Sequence, residues 1–187
     1  MSRLTYLPNF LTLLRLALVP VLIFVSWKGH AFIFIGLLSF AFLTDALDGF
    51  IARTFNLESK LGAKLDSLAD FVVYMAIPIC AWLLWPEVIQ KEKAYVIAIV
   101  VSILLPVLVG IFKFGNYPSY HTWMTKVAAI AMALSSMFLF SGGSANLFHI
   151  ATFICVIAAL EEVMITIFLS ESRSNVQSLY HVIRRRD

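Results

Sequence analysis

An all-α, polytopic integral membrane protein with six transmembrane helices and both termini cytoplasmic is the fold that this sequence predicts. Three observations carry that expectation. Of the 187 residues, 61% are hydrophobic and 13% charged, whereas a soluble chain is about half apolar and a quarter charged. The apolar residues fall into blocks of the roughly 20 residues that a helix needs to cross a bilayer, where only helices and closed barrels satisfy their own backbone. The basic residues, finally, are unevenly divided between the two ends of those blocks.

Taken in order, the spans are Asn9–Ser26, Ala31–Arg53, Ala63–Trp85, Ala94–Phe112, Thr122–Phe140 and Asn146–Ser170. The first opens on Pro8, a residue suited to a helix start. It is interrupted by Arg15 and has no small-residue cleavage site, so it reads as a retained helix rather than a signal peptide. Short polar connections separate the others: Trp27–His30, Thr54–Gly62, Pro86–Lys93, Lys113–His121 and Ser141–Ala145. No internal repeat or low-complexity tract interrupts the chain, and residues 1–187 read as one membrane domain.

Orientation follows from lysine and arginine. With the N-terminus inside, Arg3, Arg15, Arg53, Lys60, Lys64, Lys113, Lys126, Arg173, Arg184, Arg185 and Arg186 lie on or near the cytoplasmic side, and only Lys28, Lys91 and Lys93 lie opposite. The positive-inside rule then puts both termini in the cytoplasm. Net charge is +3 and the chain ends on three arginines before Asp187. Beside a membrane such a tail reads an anionic lipid surface, and nothing points to nucleic acid. Cys80 and Cys155 sit inside apolar blocks, which excludes a disulfide framework or a cysteine metal motif.

Acids inside a membrane are costly, so each needs a reason. Asp45 and Asp48 lie near the cytoplasmic end of the second span, Asp66 and Asp70 near the cytoplasmic start of the third. Spacings of three and four put each pair on one helix face. Gly62 precedes Asp66 by four and Ala52 follows Asp48 by four, so small residues leave room beside each pair. The short loop makes the two spans antiparallel neighbours, and four carboxylates converge at the cytoplasmic membrane surface. Carboxylates that close repel one another. Two divalent cations would balance them, and all-oxygen ligation without His or Cys suits Mg²⁺, Mn²⁺ or Ca²⁺ rather than Zn²⁺. Two such ions beside a phosphate clamp the charges of a displacement at phosphorus. The bland alternative is a set of ion-paired or helix-capping aspartates.

The run Asp45-x-x-Asp48-Gly49-x-x-Ala52-Arg53, then eight residues, then Gly62-x-x-x-Asp66-x-x-x-Asp70 resembles the full signature of the CDP-alcohol phosphatidyltransferase family. Six spans, cytoplasmic termini and chain length are also family-like. The resemblance implies that Asp45, Asp48 and Asp66 bind two Mg²⁺ or Mn²⁺ ions. It implies that Asp70 is the catalytic base, also near metal, taking the proton of an acceptor hydroxyl. Gly49, Ala52 and Gly62 match positions that admit the CDP moiety between helices, and Arg53 matches a position near the site. The implied reaction joins a CDP-linked lipid, CDP-diacylglycerol, to a small alcohol and releases CMP. The implied assembly is a homodimer, with the site at the cytoplasmic face of the inner (plasma) membrane.

Weaker signals surround this core. Leu7-Pro8-Asn9-Phe10-Leu11-Thr12-Leu13-Leu14-Arg15 is similar to the start of bacterial phosphatidylglycerophosphate and cardiolipin synthases. Asn9 and Thr12 are suited to hydrogen-bonding backbone or a CDP-lipid phosphate. Arg15 has two open roles, an ion pair with an intramembrane acid or a contact to the phosphate of the acceptor. Lys126, with Lys113, flanks a cytoplasmic-side connection. It is a candidate for holding the acceptor, against the plainer reading of a snorkelling lysine. Glu161 and Glu162 face directions about 100° apart, so at most one points squarely into a shared cavity.

Glycerol 3-phosphate is the acceptor this pattern favours. Serine, an inositol phosphate and phosphatidylglycerol stay open, because the chain lacks the Gly-Lys-x-Lys-Thr pattern of phosphatidylglycerophosphate synthases and has Ser67 and Phe71 where that branch has Pro and Lys. Two rivals come from other classes. A divalent-cation transporter needs acids along a path across the membrane, and the fourth and fifth spans carry none at mid-depth. A scaffold needs no four acids at fixed spacing.

Overall fold

The structure is a computed structural model that describes residues 7–54, 60–116, 120, 122–171, 176 and 178–184. Within the described helices, the side chains of residues 7–9, 46, 48–54, 60, 61, 63, 64, 183 and 184 lie outside that description. The described secondary structure is entirely helical: α1 (Leu7–Trp27), α2 (Ala31–Thr54), α3 (Lys60–Leu84), α4 (Pro86–Lys91), α5 (Lys93–Phe114), α6 (Trp123–Phe140), α7 (Asn146–Phe168) and α8 (Leu179–Arg184). Five of them, α1, α3, α5, α6 and α7, are long and apolar enough to cross a membrane, the pattern of a multi-pass membrane protein. In α2 the described apolar stretch is the shorter run Ala31–Asp45.

The chain divides into two compact units, Met1–Lys91 and Glu92–Asp187. In the first, α1 packs against both α2 and α3. Helix α1 thus lies against both of the helices that carry the aspartates. Its residues Val19 and Leu22 explain this. Leu22 packs with Phe34 and Leu38 of α2 and Cys80 of α3 in a cluster at most 2% exposed, and Val19 packs with Val73 and Ala76 of α3. Phe34 also meets Trp85 edge-to-face, with ring centroids 6.0 Å apart. The turn from α1 to α2 is closed by Gly29 at φ 76°. Its N–H donates to Ser26 O and the His30 N–H to Val25 O, the paired bonds that satisfy a helix's last carbonyls and need a left-handed residue.

In the second unit, α7 packs against α5, α6 and α8. Small residues on its face, Ala151 and Ala158, are buried and permit close approach. Thr122 caps α6 by accepting from the Thr125 N–H at 3.2 Å. At the start of α5, buried Glu92 meets His149 Nε2 at 2.7 Å, and the Tyr95 ring stacks on His149 at 3.8 Å. Tyr120, Ile165 and Leu169 form a further core with Leu179 and Val182 beside it. The connection expected over Pro86–Lys93 is largely helical, as α4, and α8 is an element that apolar block length does not reveal.

Candidate active site

Three helices of the first unit deliver the charged groups. On α3, Asp66 and Asp70 stand one turn apart, separated by fully buried Ala69. On α2, Asp45 follows Ala41 by one turn, and Ala41 is 1% exposed, so its small side chain leaves the space beside the carboxylate. From α1 comes Arg15, one turn before Val19, which anchors that face of α1 to α3. The Arg15 Nη1 donates to Asp45 Oδ1 at 2.5 Å and to Asp70 Oδ1 at 2.6 Å. Its Nη2 donates to Asp66 Oδ1 at 2.7 Å. Arg15 is 2% exposed, whereas the three aspartates are 36%, 29% and 25% exposed in the order Asp45, Asp66, Asp70.

Of the two roles open for Arg15 in the sequence, the ion pair is the one present. One guanidinium against three carboxylates leaves an excess of negative charge. The site opens as a cleft lined by Arg15, Ala41, Phe42, Asp45, Asp70, Val73 and Tyr74. Tyr74 was missed in the sequence, although its spacing of four from Asp70 continues the same helix face as Gly62, Asp66 and Asp70.

One oxygen from each of Asp45, Asp66 and Asp70 lies within 4.8 Å of the others. Two ligands on one Mg²⁺ or Ca²⁺, each at about 2.0–2.6 Å, lie at most about 4–5 Å apart. The donor set is all oxygen, as hard cations prefer, so the three aspartates fit a divalent ion.

The remaining sequence candidates are placed as follows. Thr12, one turn before Arg15, is buried. Gly62 lies in the first turn of α3 and is half-buried. Asn9, Asp48, Gly49, Ala52 and Arg53 lie on α1 and α2, but their side chains fall outside the described residues. Lys126 is exposed in the second unit, its ammonium 5.0 Å from the centre of the Trp123 ring, while Lys113 Nζ donates to Ile167 O at 2.8 Å. Glu161 Oε1 accepts from the Leu179 N–H at 3.1 Å, which ties α8 to α7. Tyr120 donates to or accepts from Thr166 at 2.9 Å. Burial pushes its phenol above the usual range, the Thr166 hydrogen bond lowers it, and the Glu162 charge raises it.

The model of one protein family, the CDP-alcohol phosphatidyltransferases, matches residues 5–168. The chain belongs to that family. The matched span includes Arg15 and the whole run from Asp45 to Asp70. Among relatives, the cardiolipin synthase (CMP-forming) of Rattus norvegicus is 34% identical over 117 residues, 62% of this chain and 38% of the relative. The protein of the same name from Homo sapiens is 33% identical over the same shares. The CDP-diacylglycerol–glycerol-3-phosphate 3-phosphatidyltransferase of Rickettsia bellii is 42% identical over 67 residues, 34% of this chain and 37% of the relative. The aligned segments thus span less than two fifths of these relatives' own lengths. No solved structure matches the chain.

Proposed function

We propose that the protein transfers a phosphatidyl group from CDP-diacylglycerol to a small hydroxyl acceptor, releasing CMP, in phospholipid synthesis. The observation that carries this is the convergence of Asp45, Asp66 and Asp70 on one point, from helices bearing the family signature. Asp45, Asp48, Asp66 and Asp70 would hold two Mg²⁺ or Mn²⁺ ions, which when bound supply positive charge for the donor's pyrophosphate. Asp70 is the base. It takes the acceptor's hydroxyl proton as that oxygen bonds to the lipid-bearing phosphorus and the bond from phosphorus to the CMP oxygen breaks. Gly49, Ala52 and Gly62 leave room for the CDP moiety, with Asn9, Thr12 and Arg53 beside it, and Lys126 holds the acceptor's phosphate.

Glycerol 3-phosphate is the proposed acceptor, which agrees with the activity in the name of the rickettsial relative. Phosphatidylglycerol is the second reading, favoured by the longer alignments to the two CMP-forming cardiolipin synthases. Residues 1–187 act as one transferase domain, assembled as a homodimer with a site in each subunit. The proposed topology has six spans. Helix α2 has 24 residues, about 36 Å at 1.5 Å per residue, long enough to be the sixth. Both termini and the aspartates then face the cytoplasm.

Release of labelled CMP from CDP-diacylglycerol, with Mg²⁺ or Mn²⁺ and each of glycerol 3-phosphate, phosphatidylglycerol, serine and inositol phosphate, tests the proposal. Release with one acceptor and not the others identifies the reaction. No release with any of them refutes it.

A further inference from the structure

We propose that Arg15 competes with divalent cations for the same carboxylate oxygens, holding the aspartates in register until a cation displaces its guanidinium. The inference deepens the phosphatidyl-transfer reading and rests on it. Arg15 Nη1 lies 2.5 Å from Asp45 Oδ1 and 2.6 Å from Asp70 Oδ1. A divalent ion bound to those two oxygens at about 2.0–2.6 Å falls on nearly the point that Nη1 occupies. The two cannot share it. A guanidinium does not lose its proton in a protein, so its charge leaves the point only by moving.

Charge balance agrees with the geometry. Four aspartates and two divalent cations sum to zero formal charge, which leaves Arg15 nothing to neutralise among them. Arg15 lines the same cleft as Phe42, Val73 and Tyr74, and its long stem lets the guanidinium swing toward that wall once the aspartates release it. A displaced guanidinium on the wall has the forked geometry that suits a phosphate. The two roles left open by the sequence thereby become two positions of one side chain. Arg15 is a positioning residue: it comes from α1, while its partners come from α2 and α3, so it ties three helices at the place where the metals act.

The test uses the full chain in detergent micelles with Mn²⁺ alone, free Mn²⁺ being counted by electron paramagnetic resonance. Arg15→Gln removes the competitor, so Mn²⁺ affinity is expected to rise by roughly 10–150-fold, the worth of one hydrogen bond between charged groups that the ion no longer has to displace. Thermal stability of Arg15→Gln is expected to fall in EDTA and to return toward that of the parent chain in Mn²⁺. Unchanged or weaker Mn²⁺ binding by the variant overturns the inference, as does an equal loss of stability in EDTA and in Mn²⁺. A second measurement needs no variant. Phenylglyoxal modification of Arg15, read by mass spectrometry, is expected to be slow in EDTA and faster as Mn²⁺ is added, and no increase again overturns the proposal. Parent chain that binds Mn²⁺ with no difference in the variant defeats this inference alone. A parent chain that binds no Mn²⁺ defeats the metal-dependent reading of the whole site, and this inference with it.

Discussion

At the residue scale the aspartates divide by what an amide can still do. An Asp→Asn change keeps shape and removes charge. At Asp45, Asp48 or Asp66 the expected result is weaker metal binding, with CMP release partly recovered at high Mg²⁺ or Mn²⁺. At Asp70 the amide accepts no proton, so the expected loss is about 10²–10⁴-fold and excess metal does not restore it. CMP release against metal concentration for the four variants is the measurement, and near-native turnover of Asp70→Asn at high metal would show that Asp70 is not the base. For Lys126, exposed beside Trp123, Lys126→Ala is expected to raise the apparent KM for the acceptor while leaving that for CDP-diacylglycerol alone. Equal changes in both would make it a structural lysine.

Asp45, Asp66 and Asp70, which meet in the structure, were legible in the sequence because an intramembrane carboxylate is rare and helical spacing fixes a shared face. The convergence of Arg15 on them was not, because residue spacing reports neighbours along one helix and is silent on which residues of other helices meet across a gap. Tyr74 lies between these cases. Its place on the Asp66–Asp70 face was readable, but an aromatic inside an apolar span carries no signal that separates a cleft wall from a lipid-facing ring.

At the element scale, helix ends are set by particular residues. Gly29 has φ 76°, and a Cβ built there meets nothing within 4 Å. Gly29→Ala therefore tests backbone conformation without steric conflict, and the expected cost is about 1–2 kcal/mol, read as reduced thermal stability in micelles. Gly29→Asn should cost less, since asparagine enters the left-handed region more readily. At Gly143 the added carbon would collide with the Phe138 ring, so there the obstacle is the ring itself. The long helices were legible because some twenty consecutive apolar residues admit few other structures, and their ends lie within a few residues of the expected ones. Helix α4 carried local signals that were read as a connection: Pro86 at its first position, Glu87 in its first turn and Lys91 in its last. Helix α8, six residues long, holds to α7 through Glu161 and the Leu179 N–H, a tertiary contact that no local pattern announces.

For the whole molecule, lipid replaces water as the main solvent. Phe32 is 90% exposed and Phe112 88%, exposures that are costly in water and cost nothing in hydrocarbon. The proposed topology is checked by placing single cysteines at Ser2 and Asp187 and treating intact cells with an impermeant thiol reagent. Neither is expected to react, and labelling of either would reverse or break the arrangement. The native thiols interfere little: Cys80 is fully buried, and Cys155 is half-buried within α7.

The unequal exposure of the ion-pair partners also bears on the order in which ligands arrive. Arg15 is hidden, while the aspartates are between a quarter and just over a third open, so an approaching molecule meets a mouth lined by carboxylates before it meets the guanidinium. A pyrophosphate is repelled by such a mouth and a divalent cation is drawn to it. For the proposed reaction the expected kinetic scheme is an ordered one, with cation first and nucleotide-lipid second, in which raising the lipid concentration cannot substitute for missing metal.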